Sequence, residues 1–580
     1  MDIRFQSEMQ NFVNQVDSGP GRRFIHWLLL VFFAFSAAAL FLFLRFHGLS
    51  SPDAFDEAQL ARNLAATGRW ETDFVRPFDA GVLSPDPSSL PEGETPEKLD
   101  IHAMPETRRA PLHPALLSLV FRATGLPKTG EPVEKAVYPW DWVPALSNAF
   151  LAALAGFWIL ALGRALFDNR VAALSAASWF LLAGVWEEAL ASGGTVLALN
   201  FTCLAALFAI WSDGARSAVS RALCTVAAAL AAAGAFYASY LHGFAAVALA
   251  LYFWTAPRPG SWKAALGFLA LFLAACAPWC VRNAALTGNI FGLAPYATLA
   301  GTYLFPDETL ARSFRPALFS FLPLLHAVQA KASLALRESA AAGFGLGGLG
   351  LYGAAYVLSH LHRFHRATSQ RLRFCLLPWA VFALLAAAAL RTPDAGGMSR
   401  ALLPLWPFAL VYAWAFILLE LDRIPFAHPA TAPLVVAVLF AIGALSYVFA
   451  VMPPRDRGPY PTYYHNSVAW AASRVGADEA IASDMPWATA WYGDRTSVFL
   501  PRTLDAFRRF GEEIAPVQAA YFTLLTRDKP WTRGLADPSA PDHDWYRIFS
   551  EGCVPRDFPL KEAHVFFGSD QMMLVDRPRW

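Results

Sequence analysis

Two adjacent acids and a scatter of arginines hold the chemistry available to this sequence. Asp56 and Glu57 stand together in Ser51-Pro-Asp-Ala-Phe-Asp-Glu-Ala-Gln-Leu60. A carboxylate so placed can take a proton from a nucleophile as bonding begins. Arg109, Arg282 and Arg400 offer cations for a phosphate group, which a guanidinium grips through paired N–H donors. His113, in Arg108-Arg-Ala-Pro-Leu-His-Pro114, could serve as ligand or base, although a lone His between Leu and Pro is more often a packed loop residue.

Each feature also has a structural reading. On a helix beginning near Ala54, Asp53 would be the N-cap, with Asp56 and Glu57 as first-turn acids complementing the helix dipole. The pair would stand about 100° apart, so both cannot face one atom. Arginines beside the short apolar run Ala115–Arg122 can snorkel. No Walker sequence, dinucleotide fingerprint, HExxH or Gly-x-Ser-x-Gly is present, which removes the commonest nucleotide, zinc-protease and serine-hydrolase sites.

The elements that must position these residues follow from charge distribution. Of 91 Asp, Glu, Lys and Arg, 32 lie in 453–580 and 24 in 49–141, leaving 35 for the other 359 residues. A soluble domain carries roughly 25% charged residues, so the charge-poor majority reads as a polytopic α-helical membrane protein. Eleven apolar stretches approach the about 20 residues that cross a bilayer: 27–46, 142–163, 171–190, 195–212, 220–238, 241–257, 264–281, 342–360, 374–390, 401–421 and 430–452. With the N-terminus in the cytoplasm, Arg22/Arg23, Arg164/Arg170, Arg216/Arg221, Arg258/Lys263, Arg363–Arg373 and Arg423 all fall inside, as the positive-inside rule requires. Asp56, Glu57 and the arginines of interest then share the exoplasmic layer.

Three regions result: a cytoplasmic N-terminus at 1–26, a transmembrane domain at 27–452 with an exoplasmic loop at 49–141, and an exoplasmic C-terminal domain at 453–580. That last region reads as α/β. Strand-like runs occur at Ala480–Ala482, Ser497–Leu500, Ala519–Leu525, His564–Phe567 and Met572–Val575, with amphipathic helices at Asn466–Val475 and Thr503–Glu513. Net charge is +1, which points to no nucleic-acid partner. Five of the six cysteines lie in apolar stretches and Cys553 is alone in the tail, so no disulfide framework is expected.

Together these residues resemble the GT-C membrane glycosyltransferases of the protein O-mannosyltransferase and lipid A aminoarabinose transferase kind. The matching stretches are Asp56-Glu57 with Ala61-Arg-Asn-Leu-Ala-Ala-Thr-Gly68, then Arg109-Ala-Pro-Leu-His-Pro114 and Gly163-Arg-Ala-Leu-Phe-Asp-Asn-Arg-Val-Ala172. Pro278-Trp…Arg282-Asn283…Thr287-Gly-Asn289 and Arg400…Leu403-Pro404 complete the series. Two departures stand out: Arg109 replaces a usual Lys, and Ala191-Ser-Gly-Gly-Thr195 lacks the second acid often found before the fourth span.

The resemblance implies an inverting transferase, moving a hexosyl or pentosyl group from a polyprenyl-phosphate donor to a lipid, glycan or protein acceptor on the exoplasmic (periplasmic) face of the inner membrane. It gives Asp56 the base role, Glu57 a supporting role in placing the acceptor, and Arg109, Arg282 and Arg400, with His113, the substrate. No metal ligand is designated; a divalent cation stays open as a cofactor. The competing class, a transporter or flippase for a lipid-linked glycan, would carry charges near the membrane midplane, where this sequence has almost none.

Overall fold

Uncharged runs of Ala, Leu and Phe leave the backbone in a bilayer no partner but itself, so they close into helices. The computed structural model describes residues 20–580 apart from 85–98, 127–135, 192, 303, 307, 317–328, 332, 334–346, 391–400, 427, 453–463, 524, 526–535, 540–542 and 567–570. Helix α1 (Pro20–Arg45) leads into a loop holding α2 (Pro52–Thr67), strand β1 (Phe74–Val75), α3 (Pro77–Leu83) and α4 (Leu112–Thr124). There follow α5 (Trp142–Leu166), α6 (Asn169–Phe180), α7 (Ala183–Ala191), α8 (Gly193–Gly214) and α9 (Ala218–Ala238). Then come α10 (Ala245–Trp254), α11 (Ser261–Thr287), α12 (Gly347–Ser359), α13 (Ala367–Ala389), α14 (Trp406–Arg423) and α15 (Thr431–Val451).

Eight of these helices among the described residues are long and apolar enough to cross a membrane: α1, α5, α8, α9, α11, α13, α14 and α15. Of the other three expected spans, two are built differently and the third is described only in part. Residues 171–190 break between α6 and α7, where Trp186 Nε1 donates to the Phe180 carbonyl at 3.0 Å and satisfies a group the break would orphan. Residues 241–257 become a 3-10 turn at Tyr240–Phe244 and the ten-residue α10, about 15 Å long and half a hydrocarbon layer. The 342–360 stretch is described as helix from Gly347.

Helix α8 is the most enclosed of the eight. Its buried Asn200 donates to the carbonyls of Leu151 (3.0 Å) and Val196 (2.8 Å), which ties α8 to α5. The stretch Gly163–Ala172 is a tight corner: Asp168 caps α6 through the Arg170 and Val171 N–H groups, and a Cβ at Gly163 would overlap the Ala172 backbone.

The tail adds α16 (His465–Ala472), β2 (Ile481–Ser483), α17 (Pro486–Gly493), β3 (Ser497–Phe499), α18 (Leu504–Glu513), β4 (Ala519–Phe522), β5 (Glu562–Phe566) and β6 (Gln571–Val575). All five strand-like runs of the sequence form strands. The sixth, β1, comes from the first loop. Sheet order is β1-β3-β2-β4-β6-β5, parallel from β1 to β4 and antiparallel across β4, β6 and β5. Phe74 pairs with Ser497 and Val75 with Val498, so the loop carrying Asp56 is an edge of the C-terminal sheet. A second tie is Asp141, which accepts from Trp491 Nε1 and Tyr492 Oη, both at 2.8 Å. Two unremarkable motifs of the sequence, the 49–141 loop and Trp491-Tyr-Gly-Asp-Arg495, thereby lock together.

Candidate active site

Helix α2 begins at Ser51, whose side chain accepts from Ala54 N–H, and ends at Gly68 in the left-handed region (φ 76°). Ser51 is thus the N-cap, not Asp53. Relieved of capping, Asp53 pairs with Arg109. One face of α2, with Phe55, Ala58 and Ala61, packs against Trp491 and Tyr492 of α17, and this contact fixes how the acids are presented.

Asp56 is fully buried and committed. Its Oδ1 accepts from Gln59 Nε2 at 3.1 Å, and its Oδ2 from Arg76 at 2.9 Å and Arg109 Nε at 3.0 Å. Burial works against the charge on Arg76, and Asp56, Asp79 and Glu106 outweigh it. Arg108 holds Asp79 through two nitrogens at 2.5–2.9 Å. Beneath the arginines, Glu106 Oε1 accepts the backbone N–H groups of Arg108 (2.5 Å) and Arg109 (2.8 Å). Burial pushes the Glu106 carboxyl up to about 7, Asp56 adds to the rise, and Arg76 opposes it.

Glu57 turns the other way. Its Oε2 lies 2.9 Å from His113 Nδ1 and accepts Gly193 N–H at 3.1 Å, while His113 Nε2 meets Asn148 Oδ1 at 2.8 Å. His113 is 1% exposed; it braces Glu57 from behind. Gly193 is required there, because a Cβ would overlap the His113 ring and the Asn148 amide. The Gly193–Gly194 pair is therefore a socket for Glu57 and His113.

A cavity of about 660 Å³ opens in front of this cluster. Glu57, Arg108, Arg109, Tyr240 and His242 are among its polar lining; Phe382, Leu385, Ala386, Ala389 and Leu390 of the α13 end are among its apolar lining. Tyr240 donates to the Arg109 carbonyl (3.0 Å) and accepts from Trp279 Nε1 (2.6 Å) and Asn283 Nδ2 (3.3 Å). Asp56, His113 and Arg282 do not line the cavity. Arg282 donates to the Glu106 carbonyl at 2.9 Å and lies 4.5 Å over the Trp279 ring, so it fixes the arginine loop. Arg400 lies outside the described residues.

Solved structures share this architecture. Lipid A aminoarabinose transferase ArnT from Cupriavidus metallidurans, in the apo state, superposes with a TM-score of 0.53 at 13% identity, over 95% of this chain and 98% of ArnT. The Archaeoglobus fulgidus oligosaccharyltransferase tethered to an acceptor peptide matches at 0.55 and 12%, over 86% of this chain and 69% of that one. The same archaeal enzyme, AglB, with an inhibitory peptide and a dolichol-phosphate, matches at 0.54 and 11%, over 88% and 70%. This chain has the GT-C fold. The GT-C likeness is one of fold, and no protein-family model or curated protein sequence matches the chain.

In this GT-C frame the residues do not fit a divalent cation. Among the described residues no three His, Cys, Asp or Glu side chains converge, and Asp56 already faces two guanidinium groups. Sequence reasoning missed Arg76, Asp79, Glu106, Asn148 and Tyr240. The one local signal was Glu106 two and three residues before Arg108 and Arg109, the spacing at which a carboxylate can gather loop N–H groups.

Proposed function

We propose that this protein is an inverting glycosyltransferase, moving a hexosyl or pentosyl group from a polyprenyl-phosphate donor to an acceptor at the exoplasmic face of the inner membrane. The observation that carries the reading is the cavity, whose lining joins two arginines and a carboxylate to a membrane-helix wall of Phe, Leu and Ala. A sugar phosphate on an isoprenoid chain has that same polarity.

In the proposed step Glu57 takes the proton of the acceptor nucleophile as its bond to the anomeric carbon forms. The bond from that carbon to the phosphate oxygen breaks on the opposite side, and polyprenyl phosphate leaves with the electron pair. Arg108 and Arg109 stabilise the charge that develops on it, a preorganised interaction that needs no reorientation. The base role moves from Asp56 to Glu57. An acid wholly buried under two arginines is a weak proton acceptor, and Asp56 instead holds Arg109 in place. Arg282 and His113 act through Glu106 and Glu57. Sidedness rests on the basic short loops.

The test is release of polyprenyl phosphate by the purified full chain from a panel of polyprenyl-phosphate hexoses and pentoses. Turnover of at least one donor is expected. With Arg109→Gln, kcat should fall by about 10²–10³ if the contact tightens in the transition state, whereas a rise in KM alone means it serves ground-state binding. No release from any donor, with an intact donor moved across proteoliposome membranes, would replace the transferase by a transporter.

A further inference from the structure

The opposite end of the spans holds a second cavity, about 570 Å³ in volume. Helices α9 and α11 touch on the side nearer the candidate site, where Phe236 meets Phe272 and Tyr237 Oη donates to the Ala275 carbonyl at 2.8 Å. Toward their starts a groove lies between them. Its rim carries Arg221, Arg258 and Lys263, and its floor Val226, Gly267 and Leu271. Val226 and Leu271 are 38% and 41% exposed, so the floor opens sideways to the hydrocarbon layer.

Charge is unbalanced here. The one acid on the lining, Asp213, accepts from Tyr252 Oη at 2.6 Å and pairs with Arg258 and Arg371. Arg221 and Lys263 have no acidic partner among the described residues: Arg221 reaches the Ala215 carbonyl at 3.4 Å, and Lys263 lies 5.6 Å from the Trp262 ring. The start of α11, with Gly260 and Ser261 on the lining, adds the positive end of a helix dipole.

We propose that this groove binds one anionic glycerophospholipid of the surrounding membrane. Its phosphodiester lies between Arg221, Arg258 and Lys263, and one acyl chain runs along Val226, Gly267 and Leu271. The unmatched cations select an anionic over a zwitterionic headgroup, and the apolar floor selects a lipid over a free anion. The inference is independent of the transferase reading.

Native mass spectrometry of the full chain, in detergent carrying equal phosphatidylglycerol and phosphatidylcholine, tests it. The expected result is one retained phosphatidylglycerol. Arg221→Gln with Lys263→Gln should lower its retention on the order of 10-fold, given what each cation near an anionic headgroup contributes. Gly267→Leu, whose new Cβ meets nothing within 4 Å, should lower retention by filling the floor at unchanged charge. Arg216→Gln, an exposed cation at the same end but off the groove, should leave it alone. Equal retention of both lipids, an equal loss with Arg216→Gln, or displacement of phosphatidylglycerol by millimolar inorganic phosphate would each overturn the proposal. Should the double variant fail to fold, unchanged retention in Gly267→Leu overturns it on its own.

Discussion

Helix α8 has an acid–arginine cluster at each end, and the two differ in charge balance. At the Gly193 end Asp53, Asp56, Glu57, Asp79 and Glu106 meet Arg76, Arg108 and Arg109. At the Gly214 end, about 30 Å away by helix rise, Asp213 meets Arg258 and Arg371, with Arg221 and Lys263 beside it. Both clusters keep buried charges paired, which is what a low-dielectric setting demands. What is left over differs. At the first end carboxylates outnumber the arginines, and Glu57, held by His113 and the Gly193 N–H, is the acid on the cavity lining that the proposed transfer uses as base. At the second end cations outnumber the one acid, as the proposed anion site requires.

The sharpest way to break this contrast is Glu57→Gln against Asp213→Asn. The first should lower turnover by about 10²–10⁴ with donor binding retained, as for loss of a general base; the second should leave turnover per folded molecule unchanged. Equal losses in a transfer assay would mean that both acids are only structural.

Stability separates the ends next. Asp56→Asn leaves Arg76 and Arg109 without their shared carboxylate and should cost about 3–5 kcal/mol, as when one partner of a buried pair is removed. Asp213→Asn should cost less, because Asp213 and Arg258 are 15% and 32% exposed against 0% and 11% for Asp56 and Arg76. Thermal unfolding of both variants in one detergent decides the order.

The glycines at the two ends of α8 offer a finer comparison. Gly193→Ala should destabilise by about 1–3 kcal/mol through overpacking against His113 and Asn148, and should lower turnover through Glu57. Gly214→Ala, with nothing within 4 Å of the added Cβ, should stay within about 0.5 kcal/mol of the parent. Unfolding and transfer assays on the two variants provide both readouts.

The smallest effect concerns pH. The Glu106 carboxyl is raised from about 4.5 to about 7, so between these values the folded protein holds a proton that the unfolded chain releases. Its contribution to stability is therefore present below about 4.5 and lost as pH rises through about 7. Glu106→Gln should flatten that fall, gaining a few degrees in Tm near pH 8 and little near pH 5, by about the shift a 1 kcal/mol change gives. An unchanged pH profile would place the slope on another group.

Much of the fold was legible. Charge-poor runs, basic short loops and the five strand-like runs of the tail all depend on local composition, and eight spans and those strands followed. Two of the remaining segments, 171–190 and 241–257, share a cause: hydropathy registers an apolar stretch whether it is one straight helix, two short ones or a turn and a half-length helix. The start of 342–360 lies outside the described residues. The acid pair and Arg109 were legible as candidates because few charges fall near the spans, and the structure brings them together. Their partners were not legible. Arg76, Asp79 and Glu106 come from other parts of the loop, Asn148 from α5 and Tyr240 from the turn before α10.

By itself, the sequence determined the class of protein, a multi-span helical chain with a small sheet in its tail, and the residue types available to it, because solvation energy depends on composition and run length alone. Only the tertiary structure decided which acid meets the cavity. Asp56 and Glu57 are neighbours with the same charge, yet one is sealed under two arginines and the other faces a cavity. That difference depends on where β1, α17 and the Gly193 end of α8 arrive around α2, through contacts spanning hundreds of residues that no local pattern encodes.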